Sequence, residues 1–221
     1  MAGGAGSRMN AEIPKQFLLL HGKPMLIYSI EAFYNASPGI SIILALPAGQ
    51  CGFWQKLCKD HGFLLPHQIV DGGETRFHSV QHALAVIDND GLVAIHDGAR
   101  PLVSESLIRM AFLTASQLGN CIPVIPFTES VRVVSRIPTL KRGDSRPVLR
   151  ASLRIVQTPQ VFRAATIKKA YEQEFREEFT DDATVAEHFG ETIHLIDGDP
   201  VNFKITHPYD LAAAEIMLGA Q

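Results

Sequence analysis

Residues 92 to 101 read LVAIHDGARP, a short apolar run that closes on an acidic residue, a glycine and a proline-bearing turn. A run of this kind fits a strand covered on both faces, which stops where the chain must turn. Two earlier stretches repeat the arrangement. ISIILAL (40 to 46) ends at Pro47, and HQIVDGG (67 to 73) ends in an acidic residue and two glycines. Between these runs lie segments of helical period: Leu26, Ile30, Phe33 and Tyr34 share one face, Val80, Leu84 and Ile87 another, and Leu107, Ala111, Thr114 and Leu118 a third.

Strands alternating with helices of this length imply βαβ units, hence an α/β, Rossmann-like fold with a mostly parallel sheet and helices on both faces. Right-handed crossovers put the strand-end loops on one edge, so the three acidic or proline-bearing turns are expected to converge on one crevice. After Pro126 the pattern breaks. TESVRVVSRI (128 to 137) and RPVLRASLRIVQTPQVF (146 to 162) read as two basic, β-branched extended segments joined by PTLKRGDSRP. A two-stranded ribbon is marginal alone, so this arm, at about 128–156, is expected to lie against another chain. Helical pattern resumes at 164 to 178 and 182 to 189, followed by a strand at 192 to 197 and a closing helix at 208 to 219.

The 221 residues are expected to form one domain, residues 1–221, with the arm as a subregion. Hydrophobic residues make up 46% and charged residues 19%, an ordinary globular balance, and no apolar run is long enough to cross a bilayer. No basic, apolar leader precedes the first motif, so a cytoplasmic protein is expected. Cys51, Cys58 and Cys121 have neither disulfide density nor CxxC spacing. The formal net charge of -3 argues against a general nucleic-acid surface, which needs a basic face. Phosphate recognition must then be local.

A local candidate stands at the start, MAGGAGSRMNAEIPKQF. Gly3, Gly4 and Gly6 let the backbone turn tightly and bring its N–H groups against an anion. This is not a P-loop, because no Lys-Ser/Thr pair follows the last glycine, and the dinucleotide pattern would need glycine where Met9 stands. Instead Arg8 follows at once and Lys15 seven residues later, with Pro14 fixing the backbone before it. Two permanent cations beside a glycine-lined site suit a polyphosphate and can neutralise charge that grows during phosphoryl chemistry. On glycine count alone, a flexible glycine-rich terminus with two solvated cations is the better reading.

The wider constellation decides between them. AGGAGSRM followed by PKQF resembles the signature of sugar-phosphate nucleotidyltransferases. DGGETRFHSV (71 to 80), HDGARP (96 to 101), TPQVF (158 to 162), TDDA (180 to 183) and NFKITHPYDLAAAE (202 to 215) follow in order. Together they resemble the 2-C-methyl-D-erythritol 4-phosphate cytidylyltransferases of the non-mevalonate isoprenoid pathway, over essentially the whole chain. The resemblance implies cytidylyl transfer from CTP to methylerythritol 4-phosphate with release of pyrophosphate. It further implies that the backbone of Ala2, Gly3, Gly4, Ala5 and Gly6, together with Asp71, Gly72 and Ser79, holds the nucleotide. Arg8, Lys15 and Lys204 would surround the triphosphate. Asp97 would stand near the ribose, a Mg²⁺ ion and the incoming phosphate, with Arg100 bracing its loop. Thr158, Arg150 and Thr180 would recognise the polyol phosphate, Arg150 and Thr180 from the second copy of a homodimer joined through the arm.

Other readings carry less of the chain. His78 and His82 have the spacing of a metal pair, without the Glu or third ligand of a zinc site. HDGARP could be a plain strand-to-turn junction with Asp97 capping a helix; Lys204 could be surface charge; EQEFREEF (172 to 179) reads as the solvated side of a helix. In the family the glycine loop follows an apolar inner strand, whereas here only Met1 precedes Ala2, so the natural start is expected to lie upstream. Leu149 and Arg154 stand where an acidic and an aromatic residue are common in the family. The rival readings are a cytidylyltransferase for another polyol phosphate, such as ribitol 5-phosphate, and a non-catalytic nucleotide-binding dimer.

Overall fold

The computed structural model describes residues 1–2, 14–134 and 145–219. After a 3-10 turn at Lys15–Phe17, β1 (Leu19–Leu20) and β2 (Lys23–Pro24) form a small hairpin that leads into α1 (Met25–Ala36). Strands and helices then alternate as the periods require: β3 (Ile43–Leu46), α2 (Cys51–Asp60), β4 (Gln68–Asp71), α3 (Arg76–Ala85), β5 (Leu92–Ile95), α4 (Glu105–Leu118) and β6 (Asn120–Pro126). The arm contributes β7 (Arg132–Val134), β8 (Ser145–Pro147) and β9 (Arg154–Val156), and β10 (Gln160–Arg163) returns to the sheet. The chain closes with α5 (Ala164–Ala170), α6 (Asp182–Phe189), β11 (Leu195–Asp197) and α7 (Pro208–Gly219). The helix starts have local causes. Thr75, Ser104 and Asp181 cap α3, α4 and α6 by accepting the free N–H three residues on, and Gly119 and Gly190 end α4 and α6 at positive φ.

The fold is the expected mostly parallel α/β arrangement, with one reversed strand inside it. β6 pairs with β11 in parallel and β3 with β4 in parallel, while β10 runs antiparallel between β5 and β6. Alternation along β6 and β10 builds the two layers. Cys121 and Val161, opposite each other, pack under Ala111 and Ala115 of α4. Their neighbours Ile122 and Phe162 face Phe77 and Val80 of α3 and Ile167 of α5. Each such buried aliphatic or aromatic side chain contributes about 1.5–3 kcal/mol.

Four expectations need correction. The helix expected over 164 to 178 ends at Ala170, because Tyr171, Phe175 and Phe179 leave it to stack on Phe77, and the Gln173 amide takes the freed Ala170 carbonyl. EQEFREEF is therefore a loop lying on the core. Ile87 packs against the same cluster as Val80 and Leu84 but from beyond the end of α3, and Leu118 is 52% exposed; the buried stripe of α4 is Leu107, Ile108, Ala111 and Ala115. The second arm segment is broken by a 3-10 turn at Arg150–Ser152, so Arg150 sits in a turn rather than a strand. Finally, α2 went unforeseen although Trp54, Leu57 and Cys58 stand at helical spacing and pack into one cluster, because this stripe is only three residues long and only Trp54 in it is fully buried.

β3 and β5 face each other without pairing, and among the described residues Met1 and Ala2 stitch them together. Ala2 N–H donates to Ala45 O (3.1 Å), Gly98 N–H donates to Met1 O (2.8 Å), and the Met1 amino group reaches His96 O. Gly98 allows this close approach, since a Cβ would come within 2.9 Å of Leu26 Cδ1 and 3.3 Å of Ala2 and the Leu26 side chain would have to shift. Beyond Met1 a cavity of about 990 Å³ runs between the two strands, lined by Ile42, Leu44, Leu92 and Ala94 among others. Two facing strand edges in an apolar setting favour a further strand between them. Five β-branched residues joined ahead of Met1 are expected to raise the melting temperature by at least about 5 °C, while an extension of equal length containing Pro and Asp is not. Equal midpoints for the two in a calorimetric scan would sink this expectation.

Candidate active site

The residue after β5 is His96 and the next is Asp97, both buried where the sheet meets the loops. Asp97 gathers three cations: Lys204 Nζ at 2.8 Å and Arg100 Nε at 3.7 Å from Oδ2, and Arg76 Nε at 3.4 Å from Oδ1. Burial works against its charge, but Arg76, Lys204 and Arg100 outweigh that and hold the carboxyl well below the usual carboxylate range. The Asp97 backbone N–H donates to the Thr158 hydroxyl (3.1 Å), which also meets His96 Nδ1 (3.0 Å). Asp97 thus caps no helix, and Lys204 is a partner of Asp97 as well as a surface cation.

The remaining candidates fall into place by segment. Ile205 N–H donates to Ala99 O, which lays NFKIT along the Asp97 loop, and Lys15 Nζ lies 3.4 Å from Ile205 O. Lys15, Asp97, Arg100, Thr158 and Lys204 are therefore brought together, with Ala2 beside them through the Met1–Gly98 bond. Arg100 donates to Asn202 O (2.8 Å) and Val156 O (3.3 Å), tying the loop to the base of the arm. Gly72 N–H donates to Leu46 O, so the Asp71–Gly73 turn sits at the end of β3. Ser79 is buried, and its hydroxyl is committed to this turn: it accepts from Gly73 N–H (3.0 Å) and donates to Thr75 O (2.9 Å). Asp71 is exposed, and its carbonyl accepts from His82 Nδ1, while His78 Nδ1 meets Thr75 Oγ1. Each histidine is thus committed to a hydrogen bond of its own. Thr180 is exposed just before the α6 cap, and Arg150 lies on the exposed arm, donating to Thr128 O. Arg8, Gly3, Gly4, Ala5 and Gly6 lie outside the described residues.

Sequence reasoning missed Arg76 and Asp182. Both stand inside quoted motifs, DGGETR and TDDA, but nothing local says that residues 106 positions apart meet. Arg76 Nη1 and Nη2 donate to the two Asp182 oxygens at 2.8 and 2.6 Å.

The sequence matches the family model for 2-C-methyl-D-erythritol 4-phosphate cytidylyltransferase over residues 1–220. The chain belongs to that family. It is 48% identical over 218 residues to the cytidylyltransferase of this name from Bacteroides fragilis, covering 99% of this chain and 97% of the relative. The relative of the same name from Porphyromonas gingivalis is 43% identical over 220 residues, covering 99% and 95%. Among solved structures, the cytidylyltransferase from Francisella tularensis superposes with a TM-score of 0.73 at 30% identity, covering 97% of this chain and 95% of that one. A synthase from Anaerococcus prevotii, at 24% identity and a TM-score of 0.80, shares the fold, covering 99% and 93%. The chain is a nucleotidyltransferase, and the family's reaction moves a cytidylyl group from CTP to 2-C-methyl-D-erythritol 4-phosphate. Neither a ribitol phosphate enzyme nor a non-catalytic dimer is favoured by these matches.

Two buried bases make stability fall in acid. Burial lowers the Met1 amino group from 8.0 to about 6, and burial, helped by that amino group, lowers His96 from 6.5 to about 3. In both cases the unfolded chain binds the proton first, so stability rises with pH through each window. Thermal denaturation is expected to show a loss of about 2 kcal/mol between pH 8 and pH 6, abolished by acetylating Met1, and a further loss below pH 6.5 from His96. A flat profile from pH 8 to pH 6 would contradict the burial of the amino group.

Proposed function

We propose that the Asp97 cluster is where a phosphate oxygen of methylerythritol 4-phosphate attacks the α-phosphorus of CTP, in line with the departing pyrophosphate. One new P–O bond forms, the bond from the α-phosphorus to the bridging oxygen breaks, and that oxygen leaves with its electron pair on pyrophosphate. A phosphate dianion is a competent nucleophile, so the protein's task is positioning and charge neutralisation. The observation that carries this reading is the excess of cations that remains once Arg76 is balanced by Asp182: Lys204 and Arg100 at the Asp97 carboxylate, with Lys15 reaching the same segment. Such a centre suits a polyphosphate. Lys15, Lys204 and Arg8 would share the triphosphate charge; Ala2, Gly3, Gly4, Ala5 and Gly6 would offer it backbone N–H groups; and the Asp71–Gly72 turn, braced by Ser79, would border the cytidine.

Mg²⁺ fits these residues only as an ion carried by the nucleotide. Among the described residues no group of three or more His, Cys, Asp or Glu side chains is placed to cage a metal, and Mg²⁺ commonly uses one or two carboxylates plus phosphate oxygens. Asp97 is the carboxylate that would hold it, and the ion would supply further neutralisation of the phosphates. Thr158, Thr180 and Arg150 would border the polyol phosphate, the last two from a second copy. A homodimer through the arm is supported by the exposed Val133, Val134, Leu149 and Ile155 beside its arginines. Among the described residues no helix is long and apolar enough to cross a membrane. We place the reaction in the cytoplasm, where CTP is at hand, with no nucleic-acid partner.

Lys204→Ala removes the nearest cation from the buried Asp97 carboxylate, so it is expected to lower the melting temperature by about 3–6 °C while the protein stays folded, and pyrophosphate release with CTP and methylerythritol 4-phosphate at a temperature well below that midpoint falls about 10²–10³-fold. Near-parental turnover would refute its role. Ribitol 5-phosphate in place of methylerythritol 4-phosphate is expected to give no release above background.

A further inference from the structure

Asp182 is 0% exposed, stands at the first position of α6, and is a carboxylate to which the roles above give nothing to do. Besides Arg76, the Tyr171 hydroxyl donates to its Oδ1 at 2.6 Å. A bidentate guanidinium–carboxylate pair fixes the plane of the arginine. With both terminal nitrogens on Asp182, the Nε edge of Arg76 is the part turned to Asp97. One side chain therefore spans three segments: Arg76 itself follows the Asp71–Thr75 turn, Asp97 follows β5, and Asp182 lies two residues after Thr180. Gln160 holds the far side, donating to Asp181 Oδ2 and accepting from Ala183 N–H, both at 2.8 Å. Burial opposes the Arg76 charge, but Asp182 and then Asp97 raise its pKa well above the ordinary arginine value.

We infer that Arg76, clamped by Asp182, is a positioning residue for cytidylyl transfer, holding the nucleotide-side turn 71–75 and, through Asp182, the polyol-side start of α6 in one geometry against the Asp97 carboxylate. The inference rests on the proposed place of Asp97 at the reacting centre. A lysine at 76 keeps the charge but, as a single ammonium, does not fix a plane or serve two carboxylates in one geometry.

The test compares Arg76→Lys, the charge-free pair Arg76→Met with Asp182→Asn, and Asp97→Asn. The paired variant leaves no buried charge without its partner, so it remains folded even where Arg76→Lys does not. Calorimetric CTP affinity without the polyol phosphate is expected to change less than about threefold in both Arg76 variants, while kcat falls at least about tenfold and KM for methylerythritol 4-phosphate rises. Asp97→Asn is expected to lose turnover as well. A merely structural Arg76 would lower the melting temperature and leave kcat and both KM values of the folded variants within about threefold of the parent, which overturns the inference. Loss of turnover in the Arg76 variants beside unchanged turnover in Asp97→Asn overturns it too, by removing the carboxylate through which Arg76 acts.

Discussion

The Asp97 carboxylate, buried and kept ionised by Arg76, Arg100 and Lys204, is the interaction on which the rest of the site depends. Taking a carboxylate out of water is costly, and only close opposite charge with satisfied hydrogen bonds offsets it. Each partner comes from a different part of the chain: Arg76 from the head of α3, Arg100 from the turn after β5, and Lys204 from the segment before α7. Holding Asp97 thus means holding those segments. Thr158, ahead of β10, adds a fourth hold through the Asp97 backbone.

The sheet explains why these segments meet. β5 and β6 run the same way on either side of β10, so the loop after β5 lies at the same edge of the sheet as the arm that leaves β6. The side chains of β10 alternate between α4 on one face and α3 with α5 on the other, which fixes its register to within one residue, since a slip would send Phe162 to the wrong layer. At this same end of β5, the bonds of Met1 and Ala2 join this sheet to the β3–β4 pair and so bring Ala2 beside Gly98. The nucleotide-side turn and the Asp97 loop are neighbours for that reason.

The chemistry of the family makes few demands that a cation cluster and a rigid edge do not meet. The nucleophile arrives already ionised, and the leaving group is a stable polyanion, so rate comes from alignment and from charge placed in advance where it will develop. His96 illustrates the economy of the site. It is neutral and buried, its Nε2–H donating to the Arg100 carbonyl and its Nδ1 meeting the Thr158 hydroxyl, and it shapes the loop without carrying a charge.

The sequence by itself determined the alternation of strands and helices, the limits of α6 and α7, and the family, because apolar period, capping residues and ordered motifs are all local in the chain. It brought Asp97, Lys15, Lys204, Arg100 and Thr158 into one list through motif resemblance. Tertiary structure alone decided what those residues touch. Helix α2 was legible in the short stripe of Trp54, Leu57 and Cys58 but passed over, whereas the end of α5 was illegible because Tyr171 and Phe179 answer to Phe77, about a hundred residues earlier. Ser79, read as facing the nucleotide, proved to hold the Gly73 turn, since only the fold shows where a hydroxyl is spent. The pairing of Arg76 with Asp182 is the clearest case: both residues lay in plain motifs, but an ion pair depends on distance through space, and no spacing along the chain encodes it.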